Sequence, residues 1–267
     1  MDRPQRTIFA MGGGGFTMEP GNPALDELLL TLPDRAVPRL MFLPTASGDA
    51  ERQVTAFRAT FADRACVPIA LSLFRLAETG GVSLRDLVLS QDLVLVGGGS
   101  MRSMLAIWRE YGLDAILREA WERGVVLAGL SAGAMCWFAG GVTTSTGVPR
   151  AVEGLGLLPY SLSVHADSDR ERLPVYEAAV ASDVMPGGWA ADDGVGLLFH
   201  GDALTRVVTS RPGTRAVHVE RTADGELVRT PIIPALLSAA PLAERAVDGD
   251  VLEFRRERRA ALRRAGR

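Results

Sequence analysis

The chain has 267 residues, 47% of them hydrophobic and 23% charged, which is the balance of a folded globular protein and not of a disordered one. The formal net charge of -3 argues against a nucleic-acid partner, and no apolar run approaches the roughly 20 residues of a membrane-spanning helix. We therefore expect a single α/β domain over residues 1–267, with neither nucleic acid nor a membrane as its partner.

Short apolar runs alternate with longer amphipathic segments through the first half of the chain. Strands are predicted at residues 7–11, 39–43, about 67–73, 92–96 and 125–128. Helices are predicted at residues 23–32 and about 50–62, and then around residues 105–108 and 113–117. Continuously apolar strands separated by helices are typical of a mostly parallel sheet with helices on both faces.

Three glycine-rich stretches follow predicted strands and indicate where a site would lie. Ligands in parallel sheets bind beyond the carboxyl ends of the strands, so the ends at Gly97 and Gly129 are expected to share one crevice. The four glycines at residues 12–15 lack the spacing and downstream acid of a dinucleotide-binding loop. They favour a tight turn near the same crevice.

The last third of the chain has shorter predicted strands, at residues 195–199, 204–209, 216–219 and 227–229. Turns such as Ala223-Asp224-Gly225 separate them, which indicates an antiparallel C-terminal edge on the same sheet. Residues from about 241 to 267 are charged and rich in arginine, and they predict a solvated terminal helix or tail.

Ser131 lies at the centre of Gly129-Leu130-Ser131-Ala132-Gly133, between a predicted strand and a segment that can open a helix. A sharp strand-to-helix turn of this kind exposes a serine hydroxyl for nucleophilic attack. The helix amino terminus also offers the amide of Ala132 to developing negative charge. The pattern therefore predicts a catalytic nucleophile.

A serine nucleophile needs a base and an acid that orients the base. The chain has three histidines: His165 at the end of a short strand, and His200 and His218 in the C-terminal strand region. Asp192 and Asp193 are adjacent carboxylates before a predicted strand. An α/β-hydrolase order of serine, acid and histidine would use His200 or His218, whereas His165 would give the order serine, histidine, acid. The residues alone leave both orders open.

Four ordered motifs resemble the peptidase E family of serine peptidases, which includes α-aspartyl dipeptidases and has cyanophycinases as relatives. They are Gly97-Gly98-Gly99-Ser100, Gly129-Leu130-Ser131-Ala132-Gly133-Ala134, His165 followed by Arg170-Glu171-Arg172, and Asp192-Asp193-Gly194. The resemblance extends from the first predicted strand to about Val219. It implies a class I glutamine-amidotransferase-like (flavodoxin-like) α/β fold and a triad in the order serine, histidine, acid.

Carried over by position, the resemblance makes Ser131 the nucleophile, His165 the base and Asp193 the acid, with Asp192 as the alternative acid. The backbone amides of Gly99 and Ala132 would then form the oxyanion hole. Amidotransferases of this fold use a cysteine at the nucleophile position, so the serine here argues against amidotransferase activity.

Substrate contacts are implied for Ser100 and for an arginine after the histidine, either Arg170 or Arg172, of which Arg172 is favoured. A guanidinium matches a substrate carboxylate through two hydrogen bonds. Three positions depart from the family pattern. Asp193 stands where the best-known dipeptidases have glutamate, Ser100 stands where asparagine is common, and Ala166 replaces an aromatic residue.

The resulting expectation is a serine peptidase of short peptides, a dipeptidase with a preference for N-terminal aspartate. An esterase using His200 or His218 and a non-catalytic binding member of the same fold are the alternatives. The resemblance also makes a homodimer plausible, and we expect no cofactor.

The compartment is expected to be the cytoplasm, because the first residues run into an apolar strand without the pattern of a signal peptide. Cys66 and Cys136 are interpreted as buried free thiols, since two cysteines form no disulfide framework. With only three histidines beside them, the sequence contains no zinc-binding pattern.

Overall fold

The computed structural model describes residues 4–79 and 81–238. Its strands are β1 (Thr7–Met11), β2 (Arg39–Leu43), β3 (Val67–Ala70), β4 (Leu93–Val96), β5 (Val126–Leu130), β6 (Phe138–Thr143), β7 (Arg150–Glu153), β8 (Leu158–Ser163), β9 (Gly188–Ala191), β10 (Val195–His200), β11 (Ala203–Thr209), β12 (Ala216–Arg221), β13 (Leu227–Ile232) and β14 (Ala235–Leu236). Its α-helices are α1 (Gly15–Met18), α2 (Ala24–Thr31), α3 (Glu51–Phe61), α4 (Leu84–Leu89), α5 (Met101–Glu110), α6 (Leu113–Glu122), α7 (Ala132–Met135) and α8 (Arg172–Ala181), with 3₁₀ segments at Thr45–Ser47 and Leu73–Thr79.

The larger of two sheets in the described residues has the strand order β14-β11-β10-β1-β5-β4-β2-β3. Strands β3, β2, β4, β5 and β1 run parallel, so their carboxyl ends share one edge. The side chains of β1, β4 and β5 are buried throughout, because helices cover both faces, whereas those of the edge strand β3 are only partly buried. One face packs against α2 and α3 through Leu25 and Phe57, and the other packs against α5 and α6 through Trp108 and Leu117. The predicted mostly parallel sheet with helices on both faces is confirmed.

The predicted antiparallel edge is confirmed only in part. Strands β10 and β11 extend the larger sheet in antiparallel pairs beside β1. The prediction that residues 216–219 and 227–229 join the same sheet is wrong, because β12 pairs with β9 and β13 in a second sheet. The non-local pairing of Ala216 with Ala191 decides this, and sequence adjacency cannot indicate it.

The smaller sheet has the order β13-β12-β9-β8-β6-β7. Its apolar residues Phe138, Leu162 and Trp189 join the same buried cluster as α5 and α6, so the two sheets pack on common hydrophobic residues. Helix α8 covers the smaller sheet through Tyr176 and Val180. The chain passes from β9 in the smaller sheet to β10 in the larger one through Asp192, Asp193 and Gly194.

Strands β6, β7 and β9 and helix α8 have no counterpart in the sequence prediction. A helix does open at Ala132, but it ends after one turn at Met135, and Phe138 already begins β6. The charged segment at about 241–267 lies outside the described residues. No helix among the described residues is both long and apolar enough to cross a membrane.

Candidate active site

Ser131 lies on the turn that joins β5 to α7, at the carboxyl edge of the larger sheet. Its backbone has φ 55° and ψ -117°, a conformation that non-glycine residues rarely adopt and that is typical of functional turns. The Ser131 amide donates a hydrogen bond of 3.0 Å to the carbonyl of Met11 at the end of β1, which holds the turn. Gly129 allows this tight turn, because a β-carbon there would lie 1.9 Å from the carbonyl oxygen of Gly133.

His165 brings its ring to Ser131 from the other sheet. It lies just beyond β8, with φ 58°, and its amide donates to the carbonyl of Gly12 at 3.2 Å. The ring atom Nε2 lies 2.8 Å from Ser131 Oγ, and the ring is largely buried. The residues alone left three candidate bases, the family resemblance implied His165, and the structure brings His165 into hydrogen-bonding contact with the serine.

Asp193 completes a hydrogen-bonded row behind His165. Its Oδ1 atom contacts His165 Nδ1. The tautomer that satisfies both ring contacts carries its proton on Nδ1 and presents Nε2 as an acceptor to the Ser131 hydroxyl. The row therefore runs Ser131, His165, Asp193, which is the order that a nucleophile, a general base and an orienting acid require.

The surroundings of Asp193 keep it ionised. Burial raises the pKa of this carboxyl, but hydrogen bonds from His165 and from Ser168 and the positive charge of Arg211 outweigh burial. The net pKa lies below its ordinary value. An ionised carboxylate at this position stabilises the positive charge that the imidazole gains when it accepts a proton.

Asp192, the alternative acid, has different partners. Its Oδ2 accepts a hydrogen bond of 2.9 Å from the amide of Arg215, and its own amide donates to the Arg215 carbonyl at 3.1 Å. Burial raises its pKa. Asp192 thus extends the pairing of β9 with β12, whereas its neighbour Asp193 contacts the histidine.

Of the two predicted oxyanion donors, Ala132 is next to Ser131 in the chain and Gly99 lies in the turn after β4. Ala132 is the first residue of α7, directly after the serine. The Gly97–Gly99 turn after β4 passes close by, since a β-carbon at Gly98 would lie 3.3 Å from Ser131 Cβ. Gln53 supports this turn by donating a hydrogen bond of 3.1 Å from Nε2 to the carbonyl of Gly98.

Ser100, a predicted substrate contact, begins α5. Its hydroxyl accepts a hydrogen bond of 3.3 Å from the amide of Ser103, which caps the helix amino terminus. Its amide donates to the carbonyl of Ala46 at 2.7 Å, which ties the turn after β4 to the segment after β2. The structure therefore gives Ser100 a clear role as a helix cap.

The two arginines after His165 differ sharply in environment. Arg170 is exposed. Arg172 is buried, and its guanidinium donates to Asp169 Oδ2 at 3.1 Å, to the Val164 carbonyl at 3.3 Å and to Thr144 Oγ1 at 2.6 Å. All three guanidinium nitrogens of Arg172 donate hydrogen bonds within the chain. The arginine that sequence analysis favoured as a substrate contact therefore stabilises the segment around His165.

Sequence analysis predicted the glycine turn beside the acid and the base but missed Ser168, whose hydroxyl donates a hydrogen bond to Asp193. Gly12 and Gly13 accept hydrogen bonds through their carbonyls from the amides of His165 and Gly194, at 3.2 and 3.1 Å. The predicted strand-end turn near the crevice is confirmed, and the run of glycines was its signal. Ser168 lies in a charged loop that carries no such signal.

The other two histidines lie away from Ser131. His200 pairs with Thr7 at the amino end of β1, while Met11, which contacts Ser131, ends that strand. Four residues of extended strand separate those ends by about 13 Å. His218 lies in β12 of the smaller sheet, with its ring centre 5.2 Å from that of Trp189.

Cys66 and Cys136 are both free and buried, as interpreted from the sequence. Burial raises the pKa of the Cys136 thiol well above its ordinary value, so this thiol is not a competing nucleophile. Within residues 4–79 and 81–238, no group of three or more potential metal-ligating side chains comes together.

The chain is similar to proteins of a known family. Peptidase family S51 matches residues 8–207 of the chain. The uncharacterized peptidase YgaJ of Bacillus subtilis (strain 168) is 44% identical over 227 residues, covering 85% of this chain and 97% of that protein.

Two solved structures share the fold at low sequence identity. A peptidase from an acI-B1 Actinobacterium superimposes with a TM-score of 0.67 at 17% identity, over 86% of this chain and 95% of the other. A putative peptidase E protein from Listeria monocytogenes EGD-e gives a TM-score of 0.54 at 16% identity, over 77% and 98%. These likenesses confirm the expected fold class. Because the family match covers most of the chain and a relative shares 44% identity over 85% of it, the chain belongs to peptidase family S51, the peptidase E family.

Proposed function

We propose that this protein is a serine peptidase that cleaves short peptides through an acyl-enzyme, with Ser131, His165 and Asp193 as its triad. The observation that carries the proposal is the 2.8 Å contact between Ser131 Oγ and His165 Nε2, with Asp193 on the opposite nitrogen of the same ring. A serine hydroxyl is a poor nucleophile until a base in hydrogen-bond contact accepts its proton.

The chemistry follows from this row. His165 Nε2 accepts the proton of Ser131 as Oγ bonds to the peptide carbonyl carbon. The oxyanion that forms is stabilised by the amides of Gly99 and Ala132. His165 then donates its proton to the leaving amine, and the peptide C–N bond breaks. A water molecule, deprotonated by the same ring, releases the acyl group from Ser131.

We infer that the substrates are dipeptides and other short peptides, with a preference for aspartate at the amino terminus. Arg170 is the better candidate for the substrate carboxylate, because its side chain is exposed on the loop that carries His165. The guanidinium of Arg172 is already satisfied by Asp169 and Thr144. The preference for aspartate depends on Arg170, and it is tested separately from the triad.

The alternatives have less support. An esterase that used His200 or His218 would need one of these rings at Ser131, where His165 already lies. A non-catalytic binding protein would have no need for a strained serine aligned with a base and an acid. Both remain distinguishable by experiment.

The test combines a dipeptide-library digest with active-site variants. We expect Ser131→Ala and His165→Ala to lose on the order of 10⁴-fold or more in kcat, and His200→Ala and His218→Ala to match the wild type. A fluorophosphonate probe should label Ser131 in the wild type but label neither of the two inactive variants. Unchanged hydrolysis by Ser131→Ala would refute the proposal.

We also propose that the protein acts as a homodimer in the cytoplasm, without nucleic acid. Two buried free thiols fit a reducing compartment, and a net charge of -3 fits a small-molecule partner better than a polyanion. Light scattering coupled to gel filtration measures the oligomeric state directly, and a monomer at assay concentration would contradict the dimer.

A further inference from the structure

We propose that Ser168 is a positioning residue for the reaction, because its hydroxyl holds the Asp193 carboxylate in the orientation in which it supports His165. The inference rests on the proposed triad. Ser168 acts through Asp193, to which its hydroxyl donates a hydrogen bond.

The two carboxylate oxygens of Asp193 have separate partners on one short loop. Oδ1 contacts His165 Nδ1, and Oδ2 accepts a hydrogen bond of 2.7 Å from Ser168 Oγ. The loop is itself closed, since the amides of Ser168 and Asp169 donate to the His165 carbonyl at 3.2 and 2.8 Å. The loop that carries the base therefore also supplies the second contact of the acid.

The backbone of Asp193 is held from the same loop. Its amide donates a hydrogen bond of 2.8 Å to Asp167 Oδ1, so His165, Asp167 and Ser168 all bind the same residue. The backbone contact fixes where the side chain starts but not how the carboxylate turns. The last torsion of an aspartate side chain is broad and two-fold, so its plane needs a contact at each oxygen to be fixed.

The packing of Asp193 leaves this role to Ser168. A β-carbon at Gly13 would lie 2.1 Å from Asp193 Oδ1, so there is no room at this position for a side chain that could hold the carboxylate. Ser168 itself is exposed, so no core packing requires a residue of this size there. The hydroxyl of Ser168 therefore matters through its hydrogen bond to Asp193 and not through packing.

The charged groups around Asp193 are His165 in front, Asp167 and Asp192 beside it, and Arg211 and Arg172 more distant. Arg211 pairs with Asp167 at 3.7 Å, which partly offsets the negative charge beside the acid. Removal of the Ser168 hydroxyl would raise the pKa of Asp193, because it removes one of the hydrogen bonds that lower it. It would also leave more negative charge on Asp193 Oδ1, the oxygen that contacts the His165 ring.

The experiment compares Ser168→Ala and Ser168→Thr with Ser182→Ala as the matched control. Ser182 is also an exposed serine whose hydroxyl makes a hydrogen bond within the chain, at 2.7 Å to the Ala178 carbonyl, but it lies at the end of α8. We expect Ser168→Ala to lose about 10-fold in kcat with KM unchanged, the scale of a hydrogen bond to a charged group that water partly replaces.

Two further readouts separate positioning from a general structural effect. In Ser168→Ala, the acid limb of the pH profile of kcat/KM should move to higher pH. Ser168→Thr keeps the hydroxyl, so its kcat should lie within about 3-fold of the wild type. Ser182→Ala should match the wild type in kcat and in pH profile. A Ser168→Ala enzyme with wild-type kcat and pH profile would overturn the inference.

The Ser131→Ala variant distinguishes a failure of the proposed triad from a failure of the proposed role of Ser168. If Ser131→Ala is inactive and Ser168→Ala equals the wild type, only the role of Ser168 is wrong. If Ser131→Ala retains wild-type turnover, the triad is wrong and the inference on Ser168 is overturned with it.

Discussion

The carboxylate of Asp193 lies directly over the backbone of Gly13, at a distance that no side chain could share. A β-carbon at Gly13 would lie 2.1 Å from Asp193 Oδ1 and 3.0 Å from His165 Cε1. The glycine run after β1 thus provides the floor on which the acid and the base meet. Its lack of side chains is a requirement of the site.

Gly13→Ala is therefore expected to lower kcat by on the order of 100-fold, because a displacement of about 1 Å in a catalytic group costs that much. The overall fold should persist, as judged by circular dichroism. Gly21→Ala is the matched control, since a β-carbon there meets nothing within 4 Å. Equal kcat values for the two variants would contradict the placement of Asp193 over Gly13.

The acid is assigned by replacing each aspartate in turn. Asp193→Asn is expected to lose roughly 10³- to 10⁴-fold in kcat, because an amide favours the wrong tautomer of the histidine. Asp192→Asn keeps an oxygen acceptor for the Arg215 amide, and so its kcat should stay within about 3-fold of the wild type. Steady-state kinetics on one dipeptide measures both, and the opposite ranking would make Asp192 the acid.

Arg172 and Arg170 should differ in what their loss affects. Arg172→Ala breaks a buried ion pair with Asp169 and the hydrogen bond to Thr144, so we expect a loss of roughly 3 kcal/mol in the free energy of unfolding. The preference for Asp-Xaa over neutral dipeptides should be unchanged. Urea denaturation and paired kcat/KM values measure the two effects.

Arg170→Ala should show the reverse pattern, with wild-type stability and a reduced preference for Asp-Xaa dipeptides, because its side chain is exposed. A lost preference in Arg172→Ala together with an unchanged one in Arg170→Ala would return the substrate role to the buried arginine.

The buried carboxyl of Asp26 should make the stability of the protein depend on pH, independently of the active site. It is buried in the first turn of α2, and burial raises its pKa from 3.8 to about 7. The folded state therefore binds this proton more tightly than the unfolded state does, so the free energy of unfolding should fall as pH rises from about 4 to about 7. At about 1.4 kcal/mol for each pKa unit, the contribution is on the order of 4 kcal/mol.

Asp26→Asn has no proton to lose, so it should remove this part of the pH dependence. Urea midpoints measured at several pH values compare the two proteins, and kcat measured at one pH verifies that the site is intact. Parallel pH curves for the wild type and the variant would show that Asp26 titrates at its ordinary pKa in the folded protein.

Local pattern was enough to predict the parallel strands of the larger sheet and the sharp turn at Ser131. Residues 125–128 form an apolar run that ends in Gly129, and this sequence requires little tertiary information to indicate a strand followed by a sharp turn. The choice between Asp192 and Asp193 could not be made in this way. The two aspartates are neighbours in the turn between β9 and β10, and only the packing of the two sheets decides which of them contacts His165.

Two strands of the smaller sheet, β6 and β9, were not predicted because their local sequence patterns are weak. Strand β6 includes Gly140 and Gly141 in its interior, where glycine weakens the strand pattern, and it begins just after the helical turn at Ala132–Met135. Strand β9 is the four residues Gly188–Ala191, too short to show a period. Both strands exist because neighbours distant in sequence pair with them.

The passage of the chain from β9 to β10 makes the proposed active site depend on the correct packing of the two sheets. The larger sheet supplies Ser131, the smaller sheet supplies His165, and Asp193 lies on the segment that crosses between them. Turnover therefore reports on the docking of the two sheets as well as on the chemistry. On heating, catalysis should therefore end as soon as the two sheets separate.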